Sequence, residues 1–291
     1  MKAAPFEFRR AHSAAEACAL LAEHGADAKI IAGGQSLLPM MAMRLARPAF
    51  LVDLNDAADL QDIALNDDSI EIGATVRQRR IERDANLAAK LPLLRKALRW
   101  VGHAQTRNRG TLGGSIVHAD PSAELPLAAC VLDAELILRD TGGTIKLPAR
   151  EFILAPMVTA IAPDQCLVAV RFPVWRESRI GCAFEEVSLR QGDFALAAAA
   201  AQVALDADGK CARVSLGTAS VPIPQAHAEI ARGLVGTRLE AADIETAADE
   251  VARTVEPDAD LHASAEYRRH LAQVLVKRVL VAARGEATGK T

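Results

Sequence analysis

Two glycine pairs stand out among the residues able to do chemistry. The first lies in Ala32-Gly33-Gly34-Gln35-Ser36, directly after the short apolar run Lys29-Ile30-Ile31. Adjacent glycines leave backbone N–H groups uncovered by side chains, and such groups can hold an anion like phosphate without a lysine. Ser36 adds a hydroxyl donor. An ordinary strand-to-helix turn has the same composition, so this segment alone decides nothing. The second pair lies in Arg109-Gly110-Thr111-Leu112-Gly113-Gly114-Ser115, again beside a hydroxyl residue. Two such segments, eighty positions apart, could clamp the two phosphates of one dinucleotide. The spacing is not GxGxxG, which disfavours a Rossmann site for NAD.

Asp120 and Glu124, four positions apart, form a third candidate. They could accept hydrogen bonds from ribityl or ribose hydroxyls, or favour the positive end of a helix starting near Glu124. Other patterns carry less. The tail Gly285-Glu286-Ala287-Thr288-Gly289-Lys290-Thr291 imitates a P-loop but has three residues, not four, between its glycines. There is no HExxH and no GxSxG elbow, so zinc-protease and hydrolase-triad readings have no anchor. His103 and His118 flank the second glycine segment as loop histidines rather than ligands.

The elements that position these residues are legible from periodicity and capping. Ser13 is an N-cap for a helix over 14–24, stopped by Gly25. Strands are expected over 29–32, 50–54 and 70–72, and a short helix over 37–44. Residues 76–89 read as one polar helix, and Pro92 opens another to about Trp100. Residues 102–121 have little apolar periodicity and read as a long functional loop. Strands flank Gly142-Gly143 as a hairpin, and 166–172 form another. The alanine-rich run 195–205 favours a helix on propensity. The turn signal Asp206-Ala207-Asp208-Gly209 and the alternation of 211–216 favour a hairpin instead. Helices then follow over 225–234, 241–254 and 263–283. The division expected is 1–57, 58–175 and 176–291.

Composition narrows the function. The 291 residues are 51% hydrophobic but only 3% aromatic, with a net charge of −3. That content excludes disorder and gives no electrostatic reason to expect nucleic acid. Few aromatics also make base-stacking platforms a poor fit. The longest apolar stretch, 194–205, is too short for a membrane span. The opening MKAAPFEFRR lacks a secretory apolar segment, which points to the cytoplasm. Cys18, Cys130, Cys166, Cys182 and Cys211 are scattered, so they read as buried apolar side chains rather than cluster or zinc ligands.

Several segments resemble a known family. IAGGQSLLPMMAMRLARPAFLVDLN (31–55) and RNRGTLGGSIVHADPSAELP (107–126) are similar to the two flavin-binding segments of FAD-containing medium subunits of molybdenum hydroxylases. FEEVSLRQGDFALAAAAAQVAL (184–205) and SAEYRRHLAQVLVKRVL (264–280) resemble their C-terminal domain. The family includes the flavoprotein subunits of aerobic carbon monoxide dehydrogenase and the FAD domain of xanthine dehydrogenase.

The resemblance implies an α+β chain: the FAD-binding fold of the vanillyl-alcohol oxidase and molybdenum-hydroxylase flavoprotein type, with two α+β subdomains and a C-terminal α+β domain. It implies that Ile31, Ala32, Gly33, Gly34, Gln35, Ser36 and Leu37, with Thr111, Leu112, Gly113, Gly114 and Ser115, cradle the FAD pyrophosphate and adjoining groups. Asp120 and Glu124 would lie near the ribityl and adenosine portions; Glu124 stands where the family commonly has Asp. Phe194 falls where relatives place an aromatic near the isoalloxazine. Val101 and Leu167 match apolar flavin-neighbouring positions. Glu185 or Glu186 stands where xanthine dehydrogenases have lysine, which weighs against NAD as final acceptor. No residue is expected to be catalytic or to bind metal. The implied partners are a large molybdopterin-binding subunit and a small [2Fe–2S] subunit, in a dimer of heterotrimers. The external acceptor is oxygen, a quinone, a carrier protein or NAD. A free-standing flavin oxidoreductase and a non-enzymatic assembly subunit are the alternatives.

Overall fold

The computed structural model describes residues 2–289; Lys290 and Thr291 of the P-loop-like tail lie outside them. The fold is α+β, built on three main sheets. The first carries β1 (Glu7–Arg10), β2 (Ala28–Ile31) and β3 (Phe50–Asp53), in the order β1-β3-β2 and parallel throughout. Parallel strands need crossovers, supplied by α1 (Ala14–His24) and α2 (Leu37–Ala42). Ser13 Oγ accepts from Glu16 N at 3.2 Å and Gly25 ends α1 at φ +53°, as the capping signals require. Ala14, Ala17, Cys18 and Leu21 form the buried stripe of α1.

The second sheet holds β4 (Ile63–Leu65), β5 (Ser69–Gly73), β6 (Glu135–Arg139), β7 (Thr144–Pro148) and β10 (Cys166–Pro173) in the order β4-β5-β10-β6-β7. Between β5 and β6 run α3 (Gln78–Arg83), α4 (Ala85–Lys90), α5 (Pro92–Leu98), α6 (Ala104–Arg109), α7 (Leu112–His118) and α8 (Glu124–Val131). The small elements α9 (Ala149–Phe152), β8 (Ile153–Ala155) and β9 (Val158–Thr159) complete it. Two expectations are corrected here. The helix over 76–89 is two helices, because the Asp84 carboxylate accepts from Asn86 N and Leu87 N and starts a new one. The supposed loop 102–121 contains α6 and α7. Glycines and polar residues hide these helices from periodicity, and tertiary bonds described below hold them.

The third sheet is antiparallel: β11 (Ile180–Ser188), β12 (Ala195–Leu205), β13 (Cys211–Ala219) and β14 (Gln225–Ala226). The expected hairpin is present, with Ala200 opposite Gly217. The helix expected from 225 starts later, because Gln225 and Ala226 pair with Thr218 and Gly217. Three helices close the chain: α10 (Ala228–Leu234), α11 (Ala241–Thr254) and α12 (Ala265–Ala287). All eleven residues of β12 are buried. Ala195, Ala198 and Ala200 join the core of the second sheet and its helices, while Leu196, Ala197, Ala199 and Ala201 join the core under α11 and α12. A strand packed between two layers reads as a continuous apolar run. Small side chains let both layers approach, which is why an alanine run is a strand here. No helix among the described residues is long and apolar enough to cross a membrane.

Candidate functional site

The first glycine segment is a turn between β2 and α2. Gly34 adopts φ +69°, a conformation glycine reaches without strain. Leu38 N donates to Gly34 O at 3.2 Å and Met40 N to Ser36 O at 3.2 Å. Among the described residues nothing accepts from the N–H groups of Gly33, Gly34, Gln35, Ser36 or Leu37. Five consecutive free N–H groups, partly in contact with solvent, are available to an anion.

The second glycine segment differs in kind. It is the first turn of α7, and its N–H groups are used. Leu112 N donates to Val76 O at 3.1 Å and Gly113 N to Ala74 O at 2.9 Å. Thr111 caps the helix, its Oγ1 accepting from Gly114 N at 3.1 Å. Thr111 and Leu112 are buried, at 2% and 0% exposure. Gly113 is obligatory for packing, since a Cβ there would lie 2.6 Å from Ala74 Cβ. Within the first turn of α7, Gly114 and Ser115 reach the surface.

The two segments meet. A Cβ on Gly33 would stand 2.5 Å from Arg109 O and 2.9 Å from Gly110 Cα. Arg77 crosses the seam: its guanidinium donates to Arg109 O and to Asn55 Oδ1. Gln78 N donates to Gly110 O at 2.9 Å. Arg77 is part-buried, and burial, with the neighbouring Arg109 adding to it and Asp53 opposing, draws its pKa down. Asn55, Gln61, Thr75, Val76, Arg77 and Arg80 line an adjoining cavity of about 170 Å³. Arg77 was not recognisable from sequence, because it lies between the two motifs inside a stretch that reads as an ordinary polar helix.

Asp120 and Glu124 lie where the second and third sheets come together. Asp120 Oδ1 accepts from Ser122 N at 2.8 Å, shaping a turn rather than capping a helix. The N-cap of α8 is Ala123, which makes no side-chain cap, and Glu124 occupies the first turn, favoured by the helix dipole. Ser220 N donates to Pro121 O, and the Ser122 and Ser220 hydroxyls both donate to Ala195 O. Burial pushes the Glu124 carboxyl up to about 7, with Asp120 adding to the rise. Burial pushes Glu186 up to about 8, with Glu124 adding to it. Among the described residues, both Glu186 carboxyl oxygens are buried without a hydrogen-bond partner. Glu185 points the other way, to Arg278 at 3.8 Å.

Phe194 is 76% exposed on the β11–β12 turn. Gly192 of that turn, at φ +84°, packs on His103: an added Cβ would stand 2.7 Å from the imidazole Cε1. The turn of the third sheet is thereby held against the turn that follows Val101. Val101 is buried, with its carbonyl accepting from Arg107 at 2.8 Å. Leu167 is a core residue of β10 paired with Leu138. The five cysteines are buried, and burial pushes the Cys130, Cys166 and Cys182 thiols up to about 12.

Comparison with known proteins gives this arrangement its context. The FAD binding domain in molybdopterin dehydrogenase matches residues 4–175, and the CO dehydrogenase flavoprotein C-terminal domain matches residues 182–283. The chain belongs to this flavoprotein family. It is 39% identical over 286 residues to the 6-hydroxypseudooxynicotine dehydrogenase complex subunit alpha of Paenarthrobacter nicotinovorans, covering 97% of this chain and 96% of the relative. It is 36% identical to the carbon monoxide dehydrogenase medium chain of Afipia carboxidovorans, covering 97% and 98%. Among solved structures, the Cu,Mo-CO dehydrogenase superposes with a TM-score of 0.95 at 35% identity, covering 98% of this chain and 100% of that one. Quinoline 2-oxidoreductase from Pseudomonas putida 86 gives 0.91 at 34%, covering 100% and 99%.

FAD is therefore this flavoprotein's cofactor, and its class is oxidoreductase. The residues present fit such a group. Free N–H groups at 33–37 beside Arg77 and Arg109 suit a pyrophosphate. The carboxyls of Asp120 and Glu124 suit sugar hydroxyls.

Proposed function

We propose that this flavoprotein is the electron-transfer subunit of a heterotrimeric molybdenum hydroxylase, taking electrons from the [2Fe–2S] clusters of a small subunit and passing them to an external acceptor. The observation that carries the reading is the anion turn 33–37 locked against 109–111, in a chain similar along its length to medium chains of such enzymes. FAD, when bound, would supply the redox chemistry. The residues of this chain bind, orient and shield. The N–H groups of Gly33 to Leu37, with Arg77, hold the pyrophosphate, while Ile31 and Ala32 deliver the chain into that turn. Thr111, Leu112 and Gly113 fix the position of α7, so that Gly114 and Ser115 face the cofactor. Asp120 and Glu124 accept from ribityl or ribose hydroxyls. Phe194 covers the isoalloxazine, and Val101 and Leu167 supply apolar wall.

In this reading residues 1–57 and 58–175 hold the flavin and 176–291 close over it. A large molybdopterin-binding subunit oxidises the substrate, and the assembly is a cytoplasmic dimer of heterotrimers. Names such as "complex subunit alpha" and "medium chain" among the relatives support the partners. The test is purification from the native host. Molybdenum, iron and two further chains are expected to follow this chain, with 450 nm flavin absorbance near one per chain. A chain that purifies alone, flavin-loaded, and oxidises a small substrate unaided would sink the proposal in favour of a free-standing oxidoreductase.

A further inference from the structure

The short helices α3 and α5 pack against each other, joined through α4. Between them lies a cleft of about 310 Å³. Arg79, Glu82 and Arg83 line it from α3, and Arg95 and Arg99 line it from α5 and its C-cap. Arg79 and Arg83 are four positions apart, as are Arg95 and Arg99. That spacing puts each pair on one helix face, where like charges repel. Both pairs line one space. The cavity beside Arg77 is a different one, with Arg80 in its wall, and the two share no residue.

The carboxylates of this region are already engaged. Glu82 accepts from Arg79 at 2.6 Å and from Arg107 at 3.1 Å. Arg107 is itself anchored, donating to Val101 O at 2.8 Å and Gly102 O at 3.2 Å. Asp84 caps α4, its Oδ1 accepting from Asn86 N at 2.9 Å and Leu87 N at 3.1 Å. Among the described residues, no carboxylate pairs with Arg83, Arg95 or Arg99, and none of these three guanidiniums donates a hydrogen bond to the protein. All three residues are exposed, so a ligand from solution can reach them.

The chemistry of the lining selects the ligand. Its side chains are charged throughout, which gives an apolar substrate nothing to pack on. A cleft dominated by one sign of charge concentrates counter-ions. Each guanidinium offers a planar fork of donors that matches a phosphate in two parallel hydrogen bonds. A singly charged anion engages one fork. Three free forks around one cleft suit an anion whose charged oxygens sit on more than one centre. The volume is at the small end of ligand sites, which fits a small molecule. We propose that the cleft between α3 and α5 binds a diphosphate group, free or carried by a nucleotide, through Arg83, Arg95 and Arg99, with Arg79 fixed by Glu82 as its wall. This site is additional to the turn at 33–37.

The test is calorimetric titration of the flavin-loaded full chain, in which the turn at 33–37 is already filled, with inorganic pyrophosphate and with ADP. Wild type is expected to bind a single equivalent, more weakly as salt rises. Arg95→Gln/Arg99→Gln is expected to weaken binding about tenfold or more, with melting temperature and 450 nm absorbance unchanged. Arg95→Lys/Arg99→Lys keeps the charge without the fork and is expected to fall between. Arg232→Gln/Arg253→Gln removes the same charge from exposed positions of α10 and α11 and is expected to bind as wild type does. Binding by Arg95→Gln/Arg99→Gln as tight as wild type overturns the proposal. So does an equal loss in Arg232→Gln/Arg253→Gln, which would make the attraction a matter of net charge alone. Failure of both probes to bind wild type at millimolar concentration overturns it as well. Tighter binding of ADP than of pyrophosphate assigns the site to a nucleotide, and equal binding assigns it to a free diphosphate.

Discussion

Gly33 and Gly114 have different reasons to be glycine. From sequence, both keep a Cβ away from phosphate. In the fold, Gly33 already abuts the Arg109 carbonyl, so a Cβ would meet protein backbone before any ligand. At Gly114 the close neighbour of an added Cβ is Thr111 Oγ1 at 2.7 Å, the hydroxyl that caps α7. Gly33→Ala is therefore expected to separate the two segments, with a stability loss of about 1–3 kcal/mol and loss of flavin together. Gly114→Ala should reduce flavin content with a smaller melting shift, about 1 kcal/mol for the disturbed cap. Absorbance at 450 nm beside thermal melts separates the effects; a Gly33→Ala chain with unchanged melting would contradict the contact. The glycine pairs were legible in sequence because nothing else permits such approach. Arg77 was not, because its partners Arg109 and Asn55 lie far along the chain.

Elements whose signals were local behaved as read. The cap at Ser13, the stop at Gly25, Pro92 at its helix start and the turn after β12 depend on residues a few positions apart. Elements held by distant partners were misread: α7 depends on bonds from Leu112 N to Val76 O and from Gly113 N to Ala74 O, and α6 on the Arg107–Glu82 ion pair. The junction of β13 and α10 carries a measurable consequence of such packing. His227, 9% exposed, bonds Thr218 Oγ1 through Nε2 at 2.8 Å, and burial pushes its pKa down to about 4. The neutral ring is then the folded form. Stability from this site is complete above the unfolded value of 6.5 and is lost as pH falls toward 4, by at most about 3 kcal/mol. Melting of wild type and His227→Asn across pH 4–7 tests it: the wild type should lose ground relative to the variant on acidification, and parallel curves would refute the assignment.

At the scale of the molecule, the third sheet completes the core of the second. Lys96 of α5 donates to Cys182 O at 2.6 Å and Glu286 Oε2 at 2.7 Å, and Glu286 also accepts from Cys182 N. This three-way tie joins α5, β11 and the end of α12. Both ionic side chains are about one-third exposed, so solvent screens the pair and its worth is small. Lys96→Met is expected to cost about 1 kcal/mol, read as a lower melting temperature with flavin content unchanged. A full loss of flavin instead would mean that the tie governs how the third sheet closes over the cofactor.

The amino-acid sequence by itself determined the glycine turns, the caps and the absence of clustered thiolates, because each of these is a matter of residue type and short spacing. Its resemblance to molybdenum-hydroxylase flavoproteins extended that to fold and cofactor. Only the tertiary structure decided which glycine segment leaves its N–H groups free, that an alanine run is a two-sided strand, and that Glu186 rather than Glu185 faces inward. Those depend on contacts between residues tens of positions apart, where burial and packing override local preference.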